Sequence, residues 1–261
     1  MKMSVMTLNL RIHVPSDGDN AWPHRVHAVA DLIQESNPVI LGTQEGSYGM
    51  LNDLDGLLPA YSRIGEGRLG LESGQSQSDE LCAIYYKHAE LTVIRHGQFW
   101  LSETPEVPGS KSWDSSLPRI CTWICFELKQ RPGTRFYTFN THFDHMGQQA
   151  REESAKLIIA RIRQLREEEH LPAMLMGDLN AHPDNDAIKL LREQLSDAYS
   201  ILSEPVGRTF HNFEGGVEGQ PIDYIFATSD VKLTDTLVDR KLRNGKYPSD
   251  HYSIAVSVTL T

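Results

Sequence analysis

The chain has 261 residues, of which 39% are hydrophobic and 23% are charged. This composition excludes intrinsic disorder and collagen-like repeats, and the length suffices for a large apolar core without disulfides or a structural metal. Asp and Glu together number 35 against 25 Lys and Arg, so the net charge is −10 at pH 7. Because this charge repels long polyanions, any contact with nucleic acid must be local or mediated by a metal ion.

Three features of the sequence lead us to expect a cytoplasmic protein. No apolar run approaches the ~18 residues of a membrane span, and residues 1–11 lack the long apolar segment of a signal peptide. The three cysteines are sparse, and Cys121 and Cys125 lie too far apart along one predicted strand to share a disulfide or a metal. We therefore expect buried thiols in a cytoplasmic protein that has no membrane contact.

Hydrophobic periodicity predicts alternating strands and helices in the first half of the chain. In chain order these are strand 4–12, helix 22–34, strand 38–43, helix 48–58 and strands 81–87, 91–100 and 119–129. Residues 65–79 are rich in Gly, Ser and Gln, and residues 102–118 contain three prolines, so both segments are predicted loops.

In the second half of the chain, the same periodicity predicts strand 135–141, helix 148–169, strand 173–176, helix 186–195 and strands 221–227, 231–238 and 252–260. No linker, short repeat or low-complexity tract divides the sequence, which predicts one domain over residues 1–261. Hairpin-like strand pairs alternate with strand–helix–strand units, and this order favours an α/β fold with mixed sheets.

Polar side chains stand at the ends of six predicted strands. They are Asn9, Glu45, His142, Asp178 with Asn180, Asp223, and Asp250 with His251. In layered α/β folds the strand ends converge on one rim, where ligands bind. The set contains carboxylates, amides and imidazoles but no nucleophilic Ser or Cys beside a base, which is typical of metal-assisted hydrolysis.

Two local patterns do not indicate a site. Residues Gly65 to Gly70 match G-x-G-x-x-G, but they open no predicted helix and Glu66 would repel a pyrophosphate, so we reject a dinucleotide site. His24 and His27 lie one helical turn apart and suit zinc only with further ligands, so we interpret them as surface or core residues.

The sequence shows no basic stripe of the kind that nucleases present to long duplexes. Arg63, Arg68, Lys111 and Arg119 are scattered in or beside predicted loops. We therefore expect the substrate to be a short or single-stranded nucleic acid or a small phosphorylated molecule. Three further histidines near the strand ends, His145, His182 and His211, are candidates to line its pocket, with core packing as the alternative.

Five motifs occur in an order that resembles the endonuclease/exonuclease/phosphatase superfamily, which includes deoxyribonuclease I and the inositol polyphosphate 5-phosphatases. They are Thr7-Leu8-Asn9, Thr43-Gln44-Glu45, Asn140-Thr141-His142, Gly177-Asp178-Leu179-Asn180 and Ser249-Asp250-His251, with Ile-Asp-Tyr-Ile around Asp223. Residues 99–105 resemble the small bacterial members. The resemblance implies a four-layer sandwich in which two mixed β-sheets pack face to face and helices lie outside.

The resemblance also implies roles for the strand-end residues. Glu45 would be the principal ligand of Mg²⁺ or Mn²⁺, with Asn9 and Asp250 nearby; a few oxygen ligands suit Mg²⁺. Asp178 and Asn180 would orient the attacking water and the scissile phosphate. The remaining assignments are His251 as catalytic histidine with Asp223 as its partner, His142 as a second phosphate-contacting histidine with Glu80 as its partner, and Asn9, Asn180 and His251 as further phosphate contacts.

These expectations combine into a metal-dependent hydrolase that cleaves phosphate esters by in-line attack of water and works as a monomer. Either Asp178 or His251 would be the general base, and this choice stays open. The alternative is a non-catalytic binding or scaffold protein that retains the fold. A zinc or di-metal carboxylic esterase is disfavoured because the sequence lacks a closely spaced, His-rich ligand set.

Overall fold

The computed structural model describes residues 2–70 and 79–260. Two short 3₁₀ helices accompany the regular elements, at Pro15–Asn20 and Ala198–Ile201. The regular elements are β1 Lys2–Asn9, α1 Trp22–Ser36, β2 Ile40–Ser47, α2 Tyr48–Leu57, β3 Tyr61–Ile64, β4 Glu80–Lys87, β5 Leu91–Trp100, β6 Ile120–Leu128, β7 Arg135–His142, α3 Gln148–Glu169, β8 Ala173–Asp178, α4 Asp186–Arg192, β9 Ser196–Asp197, β10 Asp223–Ala227, β11 Val231–Asp239 and β12 Ser253–Leu260.

The strands form two six-stranded mixed sheets. The first has the order β11-β12-β1-β2-β4-β3 and the second the order β5-β6-β7-β8-β10-β9. One pair in each sheet is parallel, β1 with β2 and β7 with β8, and the remaining pairs are antiparallel. Parallel strands bring their carboxyl ends to the same edge, so each sheet delivers two strand ends side by side.

Side chains that alternate along the strands build two apolar layers. In β1, Val5 packs into the core between the sheets, whereas the neighbouring Met6 packs outward against α1 and α2. The other sheet is covered on its outer face by α3 and α4, whose apolar stripes include Ile158 and Ile188. This is the predicted sandwich of two mixed sheets with helices outside, and β8 is buried along its whole length as the position predicts.

A polar bridge joins the two sheets near the strand ends. Gln44 Nε2 donates hydrogen bonds to Asn140 Oδ1 at 2.7 Å and to Thr7 Oγ1 at 3.0 Å. Asn140 Nδ2 in turn donates to the backbone oxygen of Thr43 at 2.9 Å. Gly42 permits this close approach, since a Cβ there would lie 2.7 Å from Asn140 Oδ1. Gln44 and Asn140 therefore fix the spacing of the sheets beneath the converging strand ends.

The structure departs from the predicted elements mainly at edges. Strands β3 and β9 were not predicted; each is short and pairs with one neighbour only. The first strand ends at Asn9 rather than residue 12, because Arg11 adopts a left-handed conformation with φ 55°. Of the predicted loop 65–79, residues 71–78 lie outside the described part of the chain.

The cysteines agree with the expectation of buried thiols, since Cys82, Cys121 and Cys125 are all buried and free. Burial raises the pKa of the Cys82 thiol to about 12. Across residues 2–70 and 79–260, no helix combines the length and the apolar character that crossing a bilayer requires.

Candidate active site

The carboxyl ends of the two parallel strand pairs meet at one pocket of about 370 Å³. The register places Asn9 opposite Gln44 in the first sheet and His142 opposite Asp178 in the second. Seven of the predicted site residues line this pocket, namely Glu45, Glu80, His142, Asp178, Asn180, Asp250 and His251. The other predicted residues, Asn9 and Asp223, lie directly behind it and bond to side chains that line it.

Backbone geometry turns two of these side chains into the pocket. The pairing of β2 with β4 shifts register between Thr43 and Gly46, which is a β-bulge at Glu45. Bulges re-aim a side chain at the end of a strand. Glu45 has φ 60° and Asn180 has φ 46°, both in the left-handed region that non-glycine residues rarely adopt. Such residues cost about 1–3 kcal/mol each and cluster at functional sites.

Gly177 allows Asp178 to lie beside His142. Its φ is 152°, and a Cβ there would stand 2.0 Å from the backbone oxygen of Thr141 on the neighbouring strand. Any larger residue would push β8 away from β7. The glycine of the Gly-Asp-x-Asn motif is therefore required by the close approach of the two strands that carry His142 and Asp178.

Asn9 links the two carboxylates at the floor of the pocket. Its Nδ2 donates to Glu45 Oε1 at 3.0 Å and to Asp178 Oδ2 at 2.9 Å. The second oxygen of Glu45 accepts from the backbone N–H of Ile12 at 2.9 Å. Ligand atoms of Glu45, His142 and Asp178 all lie within 4.8 Å of one another. The strand ends thus gather a compact group of possible metal ligands.

This acidic group is chemically suited to a hard divalent cation. Burial, followed by the charge of Asp223, raises the pKa of Asp178 to about 7. Burial also raises the pKa of Asp250, and the charge of Glu45 adds to that shift. Both shifts express an excess of buried negative charge, which a cation would neutralise. Carboxylate and amide oxygens are the ligands that Mg²⁺ and Mn²⁺ prefer, so the residues present fit such an ion.

His251 and Asp223 form a buried pair on the opposite side of Asp178. His251 Nδ1 lies 2.9 Å from Asp223 Oδ2, and His251 Nε2 lies 3.8 Å from Asp178 Oδ2. Burial of the imidazole opposes its charged form, but the charges of Asp223 and Asp178 outweigh this effect and raise the pKa of His251 to about 10. His251 is therefore an imidazolium at neutral pH, with N–H groups on both ring nitrogens.

In contrast to His251, His142 is held in its neutral form. Its burial, followed by the charge of Arg119, lowers the pKa of His142 well below 6.5. Its Nε2 lies 3.0 Å from Asn180 Nδ2 and 3.5 Å from Asp178 Oδ2. The amide of Asn180 also donates to the backbone oxygen of Phe143 at 3.0 Å. A neutral and a charged histidine thus flank Asp178.

Glu80, the predicted partner of His142, pairs with an arginine in the structure. Its Oε1 lies 2.6 Å from Arg68 Nη2, and within residues 2–70 and 79–260 no hydrogen bond or ion pair joins it to His142. Glu80 lines the pocket, where it compensates the charge of an arginine. Burial raises the pKa of Glu80, and the nearby charge of Arg68 opposes that shift.

The interpretation of the arginines as scattered is wrong for two of them. Arg68 and Arg119 line the same pocket, together with Arg11. His145 also lines it, with Nδ1 at 3.1 Å from Arg119 Nη2. Sequence reasoning missed this convergence because the arginines come from loops attached to different sheets. The one available signal was the glycine-rich segment that contains Arg68.

The other two candidate histidines do not line the pocket in the described part of the chain. His211 is buried beside it, stacked on the ring of Tyr252 with centroids 3.9 Å apart. Burial lowers the pKa of His211 to about 4, and its Nδ1 accepts a hydrogen bond from the backbone of Gly215 at 3.2 Å. It supports the segment that carries His251 rather than the substrate.

Comparison with solved structures shows which proteins this chain is similar to. A mannosyl-6-phosphatase from Bacteroides thetaiotaomicron is 33% identical over 99% of this chain and 100% of that chain, with a TM-score of 0.91. A conserved protein of unknown function from Enterococcus faecalis is 28% identical over 99% of this chain and 100% of that chain, with a TM-score of 0.89. The catalytic domain of human nocturnin shares the fold at 19% identity, with a TM-score of 0.78 over 100% of this chain and 94% of that domain.

No curated protein matches the chain at a significant level. The model of the Endonuclease/Exonuclease/phosphatase family matches residues 6–251, a range that contains every strand-end residue of the pocket. With the fold, the five motifs and the pocket geometry in agreement, the chain belongs to the endonuclease/exonuclease/phosphatase family.

Proposed function

We propose that this protein is a divalent-metal-dependent hydrolase of phosphate esters that acts on a small phosphorylated molecule. The observation that supports it best is the placement of Asp178, which touches the metal-binding group on one side and the charged His251 on the other. The resemblance implied a role for each of these residues, and the geometry supports a division of labour among them.

The acidic side of the pocket would hold Mg²⁺ or Mn²⁺ through Glu45 and Asp250, with Asn9 as a further oxygen ligand or as the amide that positions the carboxylates. When bound, the metal supplies neutralisation of the charge on the phosphoryl oxygens and lowers the pKa of a bound water. Glu45 makes fewer contacts with charged groups than Asp178 or Asp250 does, so we choose it as the principal metal ligand.

Two protonation states support Asp178 as the general base. A base that works at neutral pH needs a carboxylate whose pKa lies above its ordinary value, and burial, followed by the charge of Asp223, shifts the pKa of Asp178 in that direction. His251 is already protonated, so it cannot take the proton of the attacking water. Its imidazolium would instead donate to a phosphoryl or leaving oxygen and stabilise the charge that develops there. Asn180 and His142 would position the water and the phosphate.

The pocket supports a small substrate. A volume of about 370 Å³ accommodates a phosphate with a compact organic group, and the net charge of −10 disfavours a long nucleic acid. One relative at 33% identity is a mannosyl-6-phosphatase. We therefore propose a sugar phosphate as the first natural substrate to test, with a short oligonucleotide as the comparison.

The decisive assay is hydrolysis of an aryl phosphate, hexose phosphates and a short oligonucleotide with Mg²⁺, with Mn²⁺ and with a chelator. Asp178→Asn should lower kcat by about 10²- to 10⁴-fold while the protein melts as a folded domain. Asp186→Asn, at an exposed position on α4, is the matched control and should retain the wild-type rate.

Calorimetry with Mn²⁺ completes the test, because it reports the metal site without requiring the correct substrate. Wild type should bind Mn²⁺, and Glu45→Gln should bind it at least about tenfold more weakly. Near-wild-type turnover in Asp178→Asn would contradict the assigned base. No Mn²⁺ binding together with no hydrolysis would instead favour a scaffold protein that retains the fold.

A further inference from the structure

We propose that Arg68 and Arg119 recognise the unesterified oxygens of the substrate phosphate, so that the enzyme selects phosphomonoesters over phosphodiesters. This inference rests on the proposed function, because it specifies the substrate class of the same pocket. It also gives a function to the glycine-rich segment around Arg68, in which we rejected a dinucleotide site.

The two arginines reach the pocket from different sheets. Arg68 lies in the turn that follows β3 of the first sheet, and Arg119 directly precedes β6 of the second. Both also line a smaller cavity of about 10 Å³ together with Glu45 and His142. Arg68 and Arg119 therefore lie near Glu45, the proposed principal metal ligand, and bring positive charge to a pocket that also contains the acidic group.

The turn that carries Arg68 is anchored by its backbone. The N–H of Gly67 donates to the Tyr48 hydroxyl at 3.0 Å, and the N–H of Arg68 donates to the backbone oxygen of Glu80, also at 3.0 Å. The indole N–H of Trp100 donates to the backbone oxygen of Arg68 at 2.6 Å. A turn fixed at successive positions presents its arginine in one place, as a recognition residue requires.

Arg119 is anchored through its side chain and is only 5% exposed. Its Nε lies 3.5 Å from Asp144 Oδ2, and its Nη2 lies 3.1 Å from His145 Nδ1. Asp144 is itself held by the Ser116 hydroxyl at 2.6 Å and by the N–H of Gly147 at 2.8 Å. These contacts hold the guanidinium of Arg119 at the pocket.

The charges and donors match a terminal phosphate. A guanidinium has five N–H donors, and the ion pair of Arg68 with Glu80 Oε1 occupies Nη2, so donors remain for a ligand. A phosphomonoester carries a charge near −2 at neutral pH and offers three unesterified oxygens. A diester carries one charge and two such oxygens, so it offers the two arginines less charge and fewer acceptors than a monoester does.

The test compares kcat/KM for p-nitrophenyl phosphate and bis(p-nitrophenyl) phosphate, with Mn²⁺ present, in wild type, Arg68→Gln and Arg63→Gln. Arg63 lies close to Arg68 in sequence, but it pairs with Asp55 outside the pocket and is the matched control. Losing a charge-assisted hydrogen bond to the substrate should lower kcat/KM for the monoester at least about tenfold. The diester rate should change less than about threefold, and Arg63→Gln should keep both rates.

Equal losses on both substrates, or an unchanged monoester rate in Arg68→Gln, would overturn the inference. Should Arg68→Gln fail to fold, Arg68→Lys takes its place, since a lysine keeps the charge but loses the forked donors. If wild type cleaves none of the tested esters and binds no Mn²⁺, the proposed function fails, and calorimetry with inorganic phosphate then tests the arginines alone. Phosphate binding weakened about tenfold in Arg68→Gln would support the anion site, and equal binding would refute it.

Discussion

His251 and Asp223 are joined by a hydrogen bond of 2.9 Å between Nδ1 and Oδ2, and both side chains are buried. The second carboxylate oxygen of Asp223 has no hydrogen-bond partner among the described residues. The imidazolium of His251 is therefore the group that offsets the burial of this carboxylate. The bond also fixes the ring so that Nε2 faces Asp178, which is 3.8 Å away.

Asp223→Asn should impair catalysis through His251. The substitution removes the charge that contributes most to raising the pKa of His251, so we expect this pKa to fall from about 10 towards its ordinary value of 6.5. A protonated His251 is needed as a donor, and the alkaline limb of the pH–rate profile should accordingly move to lower pH. At pH 8 we expect kcat to fall about 10²- to 10⁴-fold.

The measurement is kcat for an aryl phosphate between pH 5 and 10, for wild type and Asp223→Asn. Asp186→Asn, which changes an exposed carboxylate far from His251 in the same way, controls for general effects of the substitution. An alkaline limb that stays in place in Asp223→Asn would show that His251 does not act as the proton donor.

The strand-end residues could be predicted because parallel strands leave little freedom in where their ends lie. Once β1 pairs with β2 and β7 with β8, the residues that follow each strand meet at one edge. Asn9 and Asp178 are 169 positions apart in sequence, yet a hydrogen bond of 2.9 Å joins their side chains. Local hydrophobic pattern was enough to place each of them at a strand end.

The cationic side of the pocket could not be predicted in the same way. Arg68 and Arg119 lie in loops, whose paths follow from tertiary contacts rather than from periodicity. The partner of Glu80 illustrates the difficulty, because the pairing with Arg68 depends on how the turn after β3 folds back along β4. The bulge that turns Glu45 inward likewise has no period-two signature in the sequence.

Arg25 is expected to position the metal site although it does not line the pocket. It is fully buried, and its guanidinium donates to backbone oxygens of Leu10 at 3.0 Å, Arg11 at 3.1 Å and Pro248 at 2.6 Å. Burial lowers the pKa of Arg25 to about 10, so the group remains charged at neutral pH. These bonds tie the segment after Asn9 to the segment before Asp250.

Arg25→Lys should therefore have two separable effects. Losing most of the forked donors should lower the free energy of unfolding by about 2–4 kcal/mol, as measured by urea denaturation. In protein that remains folded, the loosened segments should weaken Mn²⁺ binding about tenfold, as measured by calorimetry. Arg163→Lys, at an exposed position on α3, should change neither quantity. Wild-type Mn²⁺ affinity in folded Arg25→Lys would reduce Arg25 to a residue that only stabilises the fold.

Asp144 is expected to stabilise the loop before β6 in a pH-dependent way. Its Oδ1 accepts from the N–H groups of Met146 at 3.0 Å and Gly147 at 2.8 Å, and its Oδ2 accepts from the Ser116 hydroxyl at 2.6 Å and the N–H of Leu117 at 3.2 Å. Burial alone would raise the pKa of Asp144, but these donors outweigh it and hold the pKa below the ordinary 3.8.

A carboxylate with a lowered pKa in the folded state adds stability above its unfolded pKa and loses it as the pH falls through the folded value. Asp144→Asn turns one acceptor into a donor that faces N–H groups, so at pH 7 the variant should be less stable by about 2–4 kcal/mol. Urea denaturation from pH 7 down to pH 2.5 should show the wild-type advantage shrinking below about pH 3.8. An advantage that stays constant across this range would mean that the shape of the side chain, rather than its charge, holds the loop.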